Sequence, residues 1–494
     1  MTVAAVIDRE RLLAQLREAR EWDVLVIGGG ATGLGIALDA AARGFRTALI
    51  EARDFASGTS SRSTKLIHGG VRYLAQGNIN LVREALSERA LLLANAPVLV
   101  RPLKFIVPCY QPLERELLRV GLGVYDALAG KRGIGNTHWL SRTATIAQLP
   151  GVKTRGLRGG VAYWDAQFND ARLAIALMRT AVRIGAIAIN YVEADKIETS
   201  GGRVGATVAY NVQTQERFEL RAKVVFNATG VWADDLRRRA DASTAALTAT
   251  SRGSHIVLAS SFLPGSTGMM IPRTADGRVL FAIPWHSRLL LGTTDIAANG
   301  ATWRPEASEA EVDFILDTAR SYLESPPSAG DVLATFAGLR PLFSPRAAKA
   351  TRTISREHAI VIEHANLITV VGGKWTTYRK MALDALDQAA RIGLLDARPC
   401  TTADLKLDVD DSLEIACGAA EVAALGVGQL GSGGAIEEFT GLAARHEQAL
   451  YAEDVIARRL RVASLDAGAA ARLQPVVEAA LPAHSNVRKK KPLA

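Results

Sequence analysis

An α/β fold organised around a nucleotide-binding sheet is what this chain predicts, and three observations predict it. Residues 23–51 read as strand, glycine turn, helix and second strand. Residues 223–230 and 367–378 each bring another short apolar run to a small-residue or double-glycine turn. Strand patterns fill 252–295, and residues 400–480 are alanine-rich and helical, so a β-sheet unit and a helical unit accompany the first.

The first stretch carries most of the argument. Residues 24–27 are apolar and mostly β-branched, as a strand buried on both faces should be. Gly28 can make the sharp turn, Gly30 lets backbone approach a pyrophosphate, and Gly33 lets the helix lie close to the strand. Ala31 and Thr32 open that helix, whose unpaired N–H groups and dipole suit a phosphate. Gly44 ends it, residues 47–50 form the next strand, and Glu51 is placed to accept hydrogen bonds from a ribose. An acid there disfavours a 2′-phosphate. These residues do not decide between NAD and FAD.

The remaining elements follow in order. Leucines at 12, 13 and 16 give residues 9–20 a short amphipathic helix, expected as a solvated cap. Residues 59–73 are dense in hydroxyls and then glycines, with too little apolar periodicity for packing alone to explain them. They read as a ligand-facing loop: Thr59, Ser60, Ser61 and Ser63 can bond a diphosphate or a flavin edge, and His68, Gly69 and Gly70 can sit near a planar ring. Residues 80–94 form an amphipathic helix broken by Pro97. From 98 to 128 apolar and basic residues interleave, and Lys131 and Arg132 follow. That pattern fits either a surface seated on a bilayer without crossing it or a strand and buried helix of a substrate domain.

Asp170 is expected to cap a helix running to Ile184, with Gly185 ending it and a strand at 186–192 after it. A β-meander at 203–220 and the strand ending at Gly230 continue the nucleotide unit. In the second unit, Ser308 and Glu311 form a capping box for a helix to about 323. Arg340 and Arg356 stand at the ends of apolar strands, and the helix after Gly372-Gly373 runs to about 391.

Composition bounds the function. At 494 residues the chain needs two or three domains, and 48% hydrophobic with 22% charged residues argues against extensive disorder. Cys109, Cys400 and Cys417 are odd in number and scattered, which indicates neither a disulfide framework nor a metal site and fits a reducing compartment. The first residues show no secretory pattern, and no apolar run is long enough for a spanning helix. A net charge of +9 points to something acidic nearby. Without any helix-turn-helix, zinc-finger or aromatic-basic pattern, nucleic acid is not expected; an anionic membrane surface or a phosphorylated substrate fits better.

Taken together, the motifs resemble the FAD-dependent, aerobic, quinone-linked glycerol-3-phosphate dehydrogenase family. The resemblance rests on the cradle at 28–33, Thr-Lys-Leu-Ile-His-Gly-Gly-Val-Arg-Tyr at 64–73, Asn-Ala-Thr-Gly at 227–230 and Arg-Gly-Ser-His-Ile-Val at 252–257. It continues through Ile-Pro-Trp and Gly-Thr-Thr-Asp between 283 and 295, Gly-Leu-Arg-Pro at 338–341, Gly-Gly-Lys-Trp-Thr-Thr-Tyr-Arg-Lys at 372–380 and Glu-Asp-Val-Ile-Ala-Arg-Arg at 453–459.

This resemblance implies a Rossmann-like FAD-binding domain of the glutathione-reductase/D-amino-acid-oxidase type, drawn from 20–80, 150–240 and 335–395. A β-sheet substrate and membrane-facing domain would comprise 81–149 and 241–334, and a C-terminal helical domain 396–494. It implies FAD, no metal, oxidation of sn-glycerol 3-phosphate to dihydroxyacetone phosphate, and electron delivery to membrane quinone. A glycerol-3-phosphate oxidase that reduces oxygen to peroxide and a non-catalytic flavin-binding relative are the alternatives. Loss of hydride from C2 and of the hydroxyl proton needs a base, for which His68 is the first choice and His255 the second. Arg340, Arg356 and Lys374 match positions that hold the phosphate, with Arg72 and Tyr73 beside them. Gly372, Gly373, Lys374 and Thr376 would open a helix aimed at the flavin N1 and O2, adding to the cofactor set above with Gly230. The expected location is cytoplasmic, peripheral on the inner face of the cytoplasmic membrane, and a homo-oligomer is left open.

Overall fold

The computed structural model describes residues 6–18, 21–75, 77–344, 357–426 and 434–482, and within these the side chains of all but residues 72 and 75. Trp22–Ile27 is the centre of a six-stranded sheet. Parallel partners Thr47–Ile50 and Ala222–Asn227 flank it, Ile187–Ile189 lies beyond the first, and Leu367–Gly372 lies beyond the second. His358–Glu363 closes that edge antiparallel. Alternation along the central strand serves two cores. Val24 and Val26 face Ala31–Ala42, Asp170–Arg183 and Tyr378–Arg391, while Leu25 and Ile27 face the opposite layer.

That opposite layer corrects one expectation. The helix Arg9–Arg17 is no solvated cap, because Leu12, Leu13 and Leu16 are buried against the sheet together with the meander Val192–Ser200, Arg203–Asn211 and Arg217–Leu220.

The second sheet has ten strands, with Thr248–Ala259 pairing Arg288–Gly292, Ile296–Ala298 and Ala334–Phe343. Its other half joins Val100–Cys109 to Gly159–Phe168 along ten residue pairs. Gly159–Phe168 and Ala334–Phe343 therefore belong to the second sheet, which moves the expected boundaries at 150 and 335. Their mixed, partly apolar sequences suit either sheet, so only pairing separates them.

The segment at 98–128 forms a strand and a helix. Val100–Cys109 is buried in the sheet. The helix Glu114–Ala129 instead turns Leu113, Leu117, Val120 and Val124 outward, an i, i+4, i+7, i+11 stripe.

The helical unit Asp411–Leu425, Ala435–Glu447 and Ala467–Ala480 has its own core around Phe439, Val455 and Leu460. It starts later than residue 396, since Leu395 and Leu407 pack into the nucleotide-binding core. Buried ion pairs lock it on. Arg172 meets Glu414 and Glu447, and Arg461 meets Asp170.

Candidate functional site

A cleft of about 2470 Å³ opens at the C-terminal ends of the parallel strands, where open α/β sheets bind ligands. Gly28, Gly30, Ala31, Thr32, Glu51, Thr59, Ser60, Ser61, Gly230, Gly372, Gly373 and Lys374 all line it. Glycine is demanded at two places. Gly28 has φ +112° and a Cβ there would lie 2.5 Å from the Ala228 carbonyl oxygen. A Cβ on Gly33 would lie 1.9 Å from the Gly28 oxygen, so helix and turn touch as the cradle requires.

Glu51 is aimed by backbone. Its two carboxylate oxygens accept the Gly29 N–H at 2.6 Å and the Arg53 N–H at 2.9 Å. Burial pushes its pKa up, and those amides pull against the rise. Across the turn, Ser60 Oγ accepts the Ala31 N–H at 2.9 Å, so a hydroxyl from the next loop caps the phosphate-facing helix.

The hydroxyl loop does two jobs. Thr59 donates to the Leu339 carbonyl at 2.6 Å, tying the loop to the strand that carries Arg340. Ser63 was expected at the cofactor, but its hydroxyl donates to Asp170 at 2.7 Å. Asp170 in turn receives Lys65 Nζ at 2.6 Å; Asn169, not Asp170, caps the helix that follows. Burial, with Arg461 nearby, pushes the Lys65 pKa down to about 7. Ser61 lines the cleft while its carbonyl accepts both Lys65 and Arg461.

Lys374, which lines the cleft, places its Nζ 4.0 Å from the centroid of the Tyr73 ring, while Tyr73 and the His68-Gly69-Gly70 turn are not among the lining residues. The His68 N–H donates to Thr376 Oγ1 at 3.3 Å, and the Gly69 N–H donates to the Tyr125 hydroxyl at 2.7 Å. Tyr125 donates to Asp165, which is paired with Arg89, so the His-Gly-Gly turn is fixed from behind. His68, Gly69, Gly70, Tyr73 and Lys374 are thus brought together. The expected helix does not begin directly after Gly373: a 3₁₀ turn, Trp375–Thr377, intervenes before Tyr378–Arg391, and Trp375 Nε1 donates to the Ser60 carbonyl at 2.8 Å.

Arg340 is held by Thr293 Oγ1 at 3.1 Å and the Thr294 carbonyl at 3.2 Å, with Asp295 at 3.6 Å. His255 is not at the surface of the cleft. It is 1% exposed, stacked on Phe336 at 4.6 Å, with Thr64 Oγ1 at 3.0 Å from Nε2. Burial, then Lys65 and Arg340, holds its pKa well below the usual value, so it is neutral. Arg356 and the Arg72 side chain lie outside the described residues, as does the basic run at 488–491.

Several lining residues carried no sequence signal. Arg53, Arg62, Tyr191, Trp232, Trp303 and Arg304 arrive from separate loops, and only folding assembles them. Among the described residues no cluster of His, Cys, Asp and Glu could hold a metal, and no helix is long and apolar enough to cross a membrane. A glycine cradle that no Cβ could share, a carboxylate fixed beside it and a large cleft that Lys374 also lines fit a flavin dinucleotide.

Comparison with known proteins agrees. Residues 23–379 match the model of the FAD dependent oxidoreductase family. A mitochondrial glycerol-3-phosphate dehydrogenase of Mus musculus is 42% identical over 414 residues, covering 81% of this chain and 57% of that protein. The chain thus spans little more than half of that relative. One from Arabidopsis thaliana is 40% identical over 92% of this chain and 82% of its own length. Among solved structures, the glycerol-3-phosphate dehydrogenase of Bacillus halodurans complexed with FAD superposes with a TM-score of 0.74 at 28% identity, covering 95% of this chain and 91% of that one.

Proposed function

The chain belongs to the FAD dependent oxidoreductase family, and on that premise we propose that it oxidises sn-glycerol 3-phosphate to dihydroxyacetone phosphate and passes the electrons to membrane quinone. The observation that carries the reading is a glycine-lined dinucleotide cleft that includes Lys374, whose ammonium lies on the Tyr73 ring beside the His68 turn, with Arg340 on the strand that Thr59 ties to the same cleft. Bound FAD supplies the acceptor for the hydride leaving C2 of the substrate.

The chain's own residues do the rest. Arg340 presents a planar fork to the phosphate, pre-aimed by Thr293 and the Thr294 carbonyl. Lys374 adds a point charge, steadied by the Tyr73 ring. His68 takes the C2 hydroxyl proton as the C–H bond breaks and the carbonyl forms. It is favoured over His255 because it is only partly buried, on a turn fixed by Thr376 and Tyr125, whereas His255 is sealed behind Phe336. His255, kept neutral, adds no second positive charge beside Arg340.

The outward stripe on Glu114–Ala129, with Arg115 and Arg119 on the same helix and Lys131 and Arg132 after it, supports a peripheral seat on the anionic inner face of the cytoplasmic membrane. That seat favours quinone over oxygen as the acceptor. The reading is tested by anaerobic titration: the yellow holoprotein should bleach on addition of glycerol 3-phosphate and recover with a soluble quinone analogue. A flavin-loaded protein that stays oxidised with this substrate would overturn it.

A further inference from the structure

Four separated parts of the chain converge on one loop between Ile296–Ala298 and Glu309–Tyr322, at the edge of the cofactor cleft. Trp303 of that loop lies face to face with Trp232, ring centroids 3.7 Å apart and planes 22° from parallel. The Arg53 guanidinium lies 4.3 Å from the Trp303 centroid. Arg62 donates to the Trp303 carbonyl at 3.0 Å, and Arg304 reaches Glu453 at 3.3 Å. All six side chains line the cleft, and both tryptophans are only half-buried.

Two large aromatic rings stacked on each other at a cleft edge, neither fully buried, are not core packing. Trp303 comes from the substrate-domain half of the chain, while Trp232 follows the turn at Gly230 and Arg53 stands two residues past the ribose-facing Glu51. The contact therefore ties the loop to the adenosine end of the cradle. Offset aromatic stacking and cation–π attraction are each modest and non-covalent, so together they make a closure that can open.

We propose that Trp303 is a clasp on the cofactor: its stack with Trp232 and Arg53 closes the adenosine end of the cleft and governs how fast the dinucleotide enters and leaves. This inference rests on the reading of FAD as the cofactor and not on the identity of the substrate. A clasp differs from a folding determinant in its kinetic signature. Removing a gate speeds release without slowing capture, whereas damaging the fold slows capture as well.

The test uses the full-length protein, stripped of flavin and reloaded, with FAD binding followed by quenching of flavin fluorescence in stopped flow and release followed by displacement. Wild type is measured first; if it does not bind FAD, the cofactor reading itself fails. Trp303→Ala should release FAD about tenfold faster or more with capture at least as fast as wild type, and Trp303→Phe should fall between. Far-UV circular dichroism and the urea midpoint should match wild type in the Phe variant, which keeps the comparison open should the Ala variant fold poorly. Release rates unchanged in both variants, or capture that slows in step with any gain in release, would overturn the clasp.

Discussion

Asp54 and Arg459 stand 405 positions apart in the chain, yet Asp54 Oδ1 accepts Arg459 Nη2 at 3.0 Å with both side chains fully buried. Arg458 Nε reaches the same carboxylate at 2.5 Å, and Asp454 Oδ1 receives Arg458 and the Tyr191 hydroxyl at 2.6 Å each. Burial alone would raise the Asp54 pKa, but Arg459 and Arg458 hold it below the usual carboxylate range. Asp54 lies three residues past Glu51, so this cluster welds the C-terminal helices to the wall of the cofactor cleft.

That weld predicts a large cost for a small change. Asp54→Asn removes the carboxylate that the buried Arg458 and Arg459 share, leaving Arg458 to Asp454 and Arg459 to the more distant Glu447, and breaking such a buried pair costs about 3–5 kcal/mol. Arg304→Ala, which removes an exposed pair with Glu453, should cost less than about 1 kcal/mol. Urea midpoints of the two variants against wild type check this, and similar shifts for both would refute it.

The sealed imidazole gives a pH dependence. His255 has a folded-state pKa depressed well below its ordinary value of 6.5 by burial, then by Lys65 and Arg340. Below pH 6.5 the unfolded chain takes up a proton that the native state refuses, so stability is present above 6.5 and lost as pH falls. The loss approaches about 1.4 kcal/mol per pH unit for one proton. Carboxylates also titrate there, so the readout is the difference in slope between wild type and His255→Gln over pH 6.5 to 5. Equal slopes would show that His255 ionises freely.

The cradle predicts a steric failure. Gly33→Ala puts a methyl 1.9 Å from the Gly28 backbone oxygen, and neither the Cβ, fixed by its own Cα, nor the carbonyl can swing away. The turn must move, at a cost of about 1–3 kcal/mol, and the amides meant for the pyrophosphate move with it. Purified protein should be colourless at wild-type yield or slightly below. Full flavin content would show that the turn does not hold the cofactor.

At the other end of the cleft, Arg340→Ala should raise KM for glycerol 3-phosphate by about 10- to 100-fold, the worth of a charge-assisted hydrogen bond. Arg340→Lys should recover little, because one ammonium cannot replace a fork held by Thr293 and Thr294. Flavin content should not change. A KM that stays at the wild-type value would remove Arg340 from the phosphate site.

What was legible in the sequence was what local periodicity encodes. The cradle at 28–33, Glu51 at its set distance and the Ser308–Glu311 capping box each appear where the pattern placed them. What was not legible depends on partners far along the chain. Ser63 and Asp170 read as ligand and cap, but the Ser63 hydroxyl donates to Asp170 and Asp170 pairs with Lys65, a residue whose burial no motif announces. The range 150–240 reads as part of the nucleotide-binding domain, yet Gly159–Phe168 within it pairs with Val100–Cys109 of the second sheet, a partner that local sequence does not name. His255 looked like a second base for the same reason: Phe336, which covers it, comes from a strand 81 residues later.

The helix Glu114–Ala129 carries the last prediction. Leu117 and Val120 are mostly exposed on the stripe shared with Leu113 and Val124, an unfavourable surface in water that a bilayer interface would cover. Burying a Leu or Val side chain is worth about 1.5–3 kcal/mol, so Leu117→Glu with Val120→Glu should weaken binding to vesicles by at least about tenfold. Both side chains point away from the core, so flavin content and turnover with a soluble acceptor should hold. The basic residues act differently: raising salt, or replacing anionic lipid with neutral lipid, should weaken binding of wild type while leaving the apolar contribution in place. Flotation with anionic vesicles measures both. Wild type that stays in solution at low ionic strength, or a double variant that floats as well as wild type, would show that this stripe does not face a membrane.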